Sequence, residues 1–132
     1  MKRYMLDTNT VSFLLREHPA VIKRVTHEPM AELCISSVTE GEMLFGLAKR
    51  PEAKRLHRAV TEFLLRVEVL PWDSAAAATY GTTRADLEKR GKIIAPLDLM
   101  IASHAMSLKL ALITNDGSFS QMEGLELEGW TD

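Results

Sequence analysis

Hydrophobic positions along the chain follow two alternating patterns. Short apolar runs predict buried strands at residues 4–6, 33–35, 67–70 and 110–114, and alternation at 125–127 predicts an edge strand. Between them, apolar residues recur at helical spacing, which predicts helices beginning near Thr8, Pro19, Val38, Pro51, Asp73 or Ser74, and Pro96. Short apolar strands separated by helices indicate an α/β fold with a mainly parallel sheet that is covered on both faces.

Length and composition fit one domain over residues 1–132, with 46% hydrophobic and 26% charged residues. The single cysteine, Cys34, excludes an internal disulfide, favours a reducing compartment and is predicted to be a small buried hydrophobe. No apolar run approaches the roughly 20 residues of a membrane span. Met1-Lys2-Arg3 is followed too soon by Asp7 for a signal peptide, so we predict a cytoplasmic protein. The formal net charge of −2 does not by itself indicate a nucleic-acid-binding protein.

Four acidic residues have similar positions relative to the predicted elements. Asp7 follows the first strand, and Glu42 lies one turn into the helix after the second. Asp98 lies in the first turn of the helix opened by Pro96, and Asp116 follows the fourth strand. With right-handed crossovers, these positions meet at the carboxyl edge of the sheet, where such folds bind ligands.

Taken singly, each acid has an ordinary explanation as a helix cap, a partner of the helix dipole, a turn residue or a solvated side chain. However, Asp98 shares its helix face with the apolar residues Ile101 and Ala105. Glu42 likewise shares a face with Phe45, which is predicted to be packed. Inward carboxylates without basic partners are costly, so the pattern predicts a bound cation, Mg²⁺ or Mn²⁺.

Other metal sites fit the sequence poorly. Asp116 and Glu123 match part of an EF-hand loop, but its first and third positions would be Leu112 and Thr114. The four histidines show no zinc spacing, and His104 is predicted to lie on the helix surface or at the core edge.

With these residues placed, the sequence resembles the PIN-domain family, and specifically the VapC-type toxins of bacterial toxin–antitoxin pairs. The matching segments occur in the family's order and span almost the whole chain. They are residues 5–9, residues 35–39 with Glu42 and Gly46, residues 96–98 with Ile101, Ala102, His104 and Ala105, and residues 113–116 with Phe119.

The resemblance implies a three-layer α/β/α fold and an endoribonuclease that depends on Mg²⁺, with Mn²⁺ as a substitute. It implies that Asp7, Glu42, Asp98 and Asp116 are both catalytic residues and metal ligands. It places three polar residues beside them: Asn9, Ser37 and Thr114. It also implies a homodimer, a VapB-type antitoxin partner and assembly on operator DNA through that antitoxin. Relatives from enteric bacteria cut a transfer RNA in its anticodon loop, so tRNA is the expected substrate.

Two basic clusters are candidates for binding RNA phosphates, although a solvated helix face is the ordinary explanation for each. One surrounds the predicted turn at Gly91 and consists of Arg84, Lys89, Arg90 and Lys92. The other consists of Lys49, Arg50, Lys54, Arg55 and Arg58. Leu15, Phe45 and Leu47 are candidate antitoxin contacts, with core packing as the alternative for each.

Two other classes of protein are alternatives to a ribonuclease. The first is a non-catalytic PIN-like module that only binds RNA or a partner. The second is a phosphotransfer protein with acids at its strand ends. A dehalogenase-like phosphatase would need a second acid where Asn9 stands, and a receiver domain would need a lysine near the last strand, which residues 111–115 lack.

Overall fold

The computed structural model describes residues 3–131. Met1 and Lys2, which were considered above as the start of a signal peptide, and the last residue lie outside the described part. Its five strands are β1 (Tyr4–Leu6), β2 (Leu33–Ser36), β3 (Glu68–Leu70), β4 (Ala111–Ile113) and β5 (Leu127–Glu128). They form one sheet in the order β3-β2-β1-β4-β5, and every neighbouring pair is parallel. The strands are short, and β1, β2 and β4 are completely buried because helices cover both faces.

Six α-helices connect the strands: α1 (Thr8–Leu15), α2 (Pro19–His27), α3 (Ser37–Ala48), α4 (Lys54–Arg66), α5 (Ser74–Lys89) and α6 (Pro96–Ser107). The predicted start of α4 at Pro51 is wrong, because the Ala53 amide donates to the Arg50 carbonyl and closes a turn before the helix begins. Gly91 follows α5 with φ of +69°, which fits its predicted role as the stop of that helix.

The sheet carries a separate hydrophobic core on each face, because successive strand residues point to opposite sides. Leu6 and Ile35 face the layer of α1, α2, α3 and α4, whereas Met5 and Leu112 face α5 and α6. The arrangement is a three-layer α/β/α fold, as expected. Cys34 is fully buried, and burial raises the pKa of its thiol to about 11, which fits an inert core residue.

The described helices include none that is both long and apolar enough to cross a membrane. Near the end of the chain, Trp130 packs edge-on against Tyr4, with ring centroids 5.3 Å apart, and is 3% exposed. This contact fastens the last described segment to β1.

Candidate active site

The strand order brings three of the predicted acids to one edge of the sheet. Strands β2, β1 and β4 are neighbours, so Asp7, the start of α3 and Asp116 emerge side by side at their carboxyl ends. Helix α6 runs back toward the start of β4, so its first turn, which contains Asp98, lies at the same edge. The right-handed α/β connections therefore gather residues that are far apart in the sequence.

Asp7 is the N-cap of α1. Its carboxylate accepts a hydrogen bond from the Thr10 amide through Oδ1, at 2.8 Å, so the ordinary helix-cap role considered for this acid is present in the structure. The backbone at Asp7 is also fixed, because the Asp7 amide donates to the Ile113 carbonyl of β4 at 3.0 Å. Asp7 is only 3% exposed.

Glu42 is held by a residue that the sequence analysis did not select. The Thr8 hydroxyl donates to Glu42 Oε1 at 2.7 Å and lies 3.2 Å from the Thr39 hydroxyl. This contact joins the first residue of α1 to the second turn of α3. In the sequence, the position of Thr8 directly after Asp7 was the one sign that Thr8 belongs to the site. Its partner Glu42 is 34 residues away, so only the fold identifies the contact between them.

Asp116 caps the short 3₁₀ helix at Gly117–Gln121. Its Oδ1 accepts from the Ser118 amide at 2.9 Å, and its own amide donates to the Thr114 hydroxyl at 3.1 Å. The ordinary turn role considered for this acid is therefore present in the structure. It occupies only one carboxylate oxygen, so it is compatible with a second role.

Electrostatics shows that the four acids share one location. The pKa of Asp98 is raised above its ordinary value, first by burial and then by the negative charges of Glu42, Asp116 and Asp7. Each of these causes favours the protonated form of the Asp98 carboxyl, and a bound cation would oppose them. Within residues 3–131, no three acidic, His or Cys side chains already form a tight coordinating group. Binding an ion would therefore draw together carboxylates that repel one another in its absence.

The three predicted supporting residues have different surroundings. Ser37 is half-buried and accepts a hydrogen bond from the Trp72 amide at 3.0 Å. Thr114 is buried and orients Asp116, as described above. Asn9 is exposed in the first turn of α1, beside Asp7.

Phe45 is not packed, contrary to the prediction from the face it shares with Glu42. It is 62% exposed, because the buried residues of α3 are Thr39, Met43 and Leu47, which recur every four residues on another face. Glu42 therefore lies at the border of the packed stripe. Among the candidate antitoxin contacts, Leu47 is buried and Leu15 is partly buried in the core, which leaves Phe45 as the exposed one.

His104 is also misplaced by the sequence analysis, because it is 1% exposed instead of lying at the surface or the core edge. Its Nδ1 lies 2.8 Å from the Ser36 hydroxyl. Burial lowers the pKa of His104 more than nearby Asp73 and the backbone of Pro71 raise it. The imidazole thus connects α6 to the end of β2.

The predicted basic cluster after α5 divides into bound and outward-facing side chains. Arg84 donates to Glu88 Oε2 at 3.0 Å and to the Tyr80 hydroxyl at 2.8 Å. Arg90 donates to Asp86 and, at 2.9 Å, to the carbonyl of Gln121. Lys89 and Lys92 are exposed. In the second cluster, the Lys49 ammonium lies 4.5 Å from the centre of the exposed Phe45 ring.

Comparison with known proteins agrees with this architecture. The PIN domain family model matches residues 4–125, and the chain belongs to the PIN-domain family. A tRNA(fMet)-specific endonuclease VapC of Shigella flexneri is 36% identical over 132 residues, which are 99% of this chain and 100% of that protein. A protein of the same name from Salmonella typhimurium is 37% identical over 131 residues, covering 98% and 99%. Within the family, the chain is thus of the VapC type.

Solved structures give the same result. DNA-bound VapBC from Salmonella typhimurium superposes with a TM-score of 0.91 at 36% identity, covering 98% of this chain and 99% of that one. VapBC2 from Rickettsia felis, bound to a DNA fragment from its promoter, superposes with a TM-score of 0.88 at 30% identity, covering 96% and 98%. These matches confirm the predicted fold and family.

Proposed function

We propose that this chain is a divalent-metal-dependent endoribonuclease that hydrolyses RNA phosphodiester bonds and inhibits translation until an antitoxin neutralises it. The observation that carries the proposal is the arrangement of four carboxylates from separate elements at one edge of the sheet, close enough that Glu42, Asp116 and Asp7 raise the pKa of Asp98. The names of its relatives make transfer RNA, and the initiator tRNA first, the substrate to test.

The donor set fits a hard cation such as Mg²⁺, or Mn²⁺ in its place, because these ions prefer oxygen ligands. Asp7 and Asp116 each have one oxygen held by a backbone amide, and Glu42 has one held by the Thr8 hydroxyl. Each carboxylate is thereby oriented while its other oxygen remains for an ion. Asp98 would complete the set.

The proposed roles follow from these positions. Asp7 and Asp98 would be the principal ligands, and Asp116 would hold a second ion or a water. Glu42 would bind an ion or orient the attacking water, with Thr8 fixing its direction. When bound, a divalent ion supplies positive charge against the phosphate and makes water a better nucleophile at neutral pH.

Charge also supports RNA binding once ions are bound. Two divalent ions add four positive charges, which brings the formal net charge from −2 to +2. Outer phosphate contacts would come from the exposed Lys89 and Lys92, together with Arg84. Arg90, which holds the Gln121 carbonyl, would support the segment after Asp116 as well.

We further propose a VapB-type antitoxin partner, a homodimer, and assembly on operator DNA through the antitoxin, in the cytoplasm. Support comes from the solved relatives, which are VapBC complexes and in two cases are bound to DNA. The exposed Phe45 is the candidate contact for the antitoxin. Co-purification with the protein of the neighbouring gene tests this pairing.

The nuclease proposal is tested by incubating the protein with labelled initiator tRNA and Mn²⁺. Asp7→Asn and Asp98→Asn should cut at least a hundredfold more slowly than the wild type, and asparagine can still cap α1. Glu62→Gln is the matched control, because Glu62 is an exposed acid of α4 paired with Arg66. The proposal is wrong if the wild type cuts no faster than Asp98→Asn. RNA binding that is insensitive to EDTA, without cleavage, would support the non-catalytic alternative.

A further inference from the structure

A cleft lies beside the proposed active site, between α5, the connection at residues 91–95 and the start of α6. Its volume is about 140 Å³, and its lining includes Tyr80, Arg84, Leu87, Lys92, Ile94 and Leu99. Pro96 lines the cleft as well, and Pro96 and Leu99 lie on either side of Asp98 in the sequence, within one turn of α6. One helical turn is about 5.4 Å long, so the cleft adjoins the acidic site without including it.

The walls of the cleft are apolar and held in place. Leu87, Ile94 and Leu99 are 2%, 8% and 3% exposed and form part of the core. The Tyr80 ring is backed by Trp72, with ring centroids 6.0 Å apart and an angle of 75° between the planes. Trp72 is fixed in turn, because its indole N–H donates to the Met100 carbonyl at 2.9 Å.

The rim of the cleft carries two cations, Arg84 and Lys92, and one carboxylate, Glu88, so its net charge is positive. The Arg84 guanidinium is positioned by Glu88 and by the Tyr80 hydroxyl, and these bonds use two of its five N–H donors. Lys92 is exposed at the other side of the opening. The apolar and aromatic wall complements a flat ring, and the cations at the rim complement a phosphate attached to that ring.

Ile93 is exposed at the mouth of the cleft. It is 85% exposed although it also lines the cleft, and Leu97 nearby in the sequence is 49% exposed. Burial in the core therefore does not account for Ile93. A ligand ring that enters the cleft would cover this side chain.

We propose that the cleft binds a nucleobase of the RNA substrate beside the phosphate that is cut, while Arg84 and Lys92 bind the adjoining phosphate. This inference rests on the proposed ribonuclease function. The cationic rim and the adjoining acidic site favour RNA over a peptide of the antitoxin as the occupant. Ile93 and Tyr80 are then specificity-determining residues of the substrate site.

Kinetics of tRNA cleavage with Mn²⁺ tests the contribution of the cleft. Ile93→Ala and Lys92→Ala should each raise KM about five- to tenfold and leave kcat within about twofold, because both act in binding. Lys92→Ala should also lower the slope of log KM against log salt by about one. Leu65→Ala and Lys23→Ala are matched controls, since they change exposed side chains on α4 and α2, on the other face of the sheet.

A binding experiment separates this inference from the nuclease proposal. AMP, CMP, GMP and UMP are added to the full chain without metal, and amide resonances are followed by NMR, with ribose 5-phosphate as the probe that lacks a base. At least one nucleotide should shift residues 91–95 more than ribose 5-phosphate does, because only the nucleotide has a base to enter the cleft. The inference is wrong if all probes act alike or none acts, even when the protein cuts RNA. It is also wrong if the cleft variants weaken only antitoxin binding.

Discussion

Replacing Ser36 with alanine should destabilise the fold more than any other single loss of a hydroxyl near the site. The Ser36 side chain is completely buried and has two partners. Its oxygen accepts the Val38 amide at 3.1 Å, which caps α3, and it lies 2.8 Å from Nδ1 of His104. Ser36 therefore joins the N-terminus of α3 to the buried imidazole of α6.

The expected cost is the sum of two losses. Removing a helix cap costs about 1 kcal/mol. Leaving a buried ring nitrogen without a partner costs about 1–3 kcal/mol. The total is therefore about 2–4 kcal/mol. A chain of 132 residues has an unfolding entropy of about 0.28 kcal/mol/K, so Tm should fall by about 7–14 °C.

Thermal unfolding followed by circular dichroism, at one fixed pH and without divalent ions, measures this shift. Ser37→Ala is the matched control, because it is the same change one position along and removes one acceptor of the half-buried Trp72 amide. That control should cost about 0.5–1.5 kcal/mol, or about 2–5 °C. If Ser36→Ala lowers Tm no more than Ser37→Ala does, the reasoning about the Ser36 and His104 connection is refuted.

Four further outcomes are expected. The depressed pKa of His104 contributes stability that is complete above about pH 6.5 and is lost as pH falls toward the folded-state pKa, because the unfolded chain binds the proton first. Urea unfolding at pH 7.5 and 5.5 measures this. Without metal, Asp98→Asn should raise Tm by removing like-charge repulsion. Mn²⁺ at a hundredfold excess over its Kd should stabilise the wild type by about 2.7 kcal/mol, or roughly 10 °C, reversibly with EDTA. Phe45→Ser should change stability by less than about 0.5 kcal/mol and weaken antitoxin binding.

Three of these outcomes are paired with a result that contradicts them. The His104 prediction is contradicted if the free energy of unfolding depends equally on pH in the wild type and in His104→Gln. An Mn²⁺ shift of equal size in Asp98→Asn would remove this carboxylate from the ion site. A large loss of stability in Phe45→Ser, measured beside the exposed control Leu44→Ser, would mean that the ring supports the fold.

Local patterns predicted most of the architecture because they depend on neighbouring residues. Apolar runs identified four strands, alternation at residues 125–127 partly overlapped the fifth, Leu127–Glu128, and caps or prolines placed the starts of α2 and α6 correctly. The start of α4 was missed, since a turn at residues 51–53 competes with the helix that Pro51 would permit. The positions of the four acids relative to the strands also followed from the sequence, because each lies just after a strand or within the first two turns of a helix.

What surrounds each side chain depended on the packing of distant segments. The sequence placed Phe45 inside and His104 outside, but helical periodicity indicates only which residues share a face, not which face a neighbouring layer covers. The fold buries His104, and Ser36, 68 residues away, provides its partner.

The sequence by itself determined the order of strands and helices, the acidic residues and the family, because these are carried by local spacing and motif order. The tertiary structure alone decided that Thr8 holds Glu42, that three carboxylates raise the pKa of Asp98, and that a cleft opens beside them. Hydrogen bonds, charge repulsion and cavities depend on distances between atoms, and only the folded chain sets those distances.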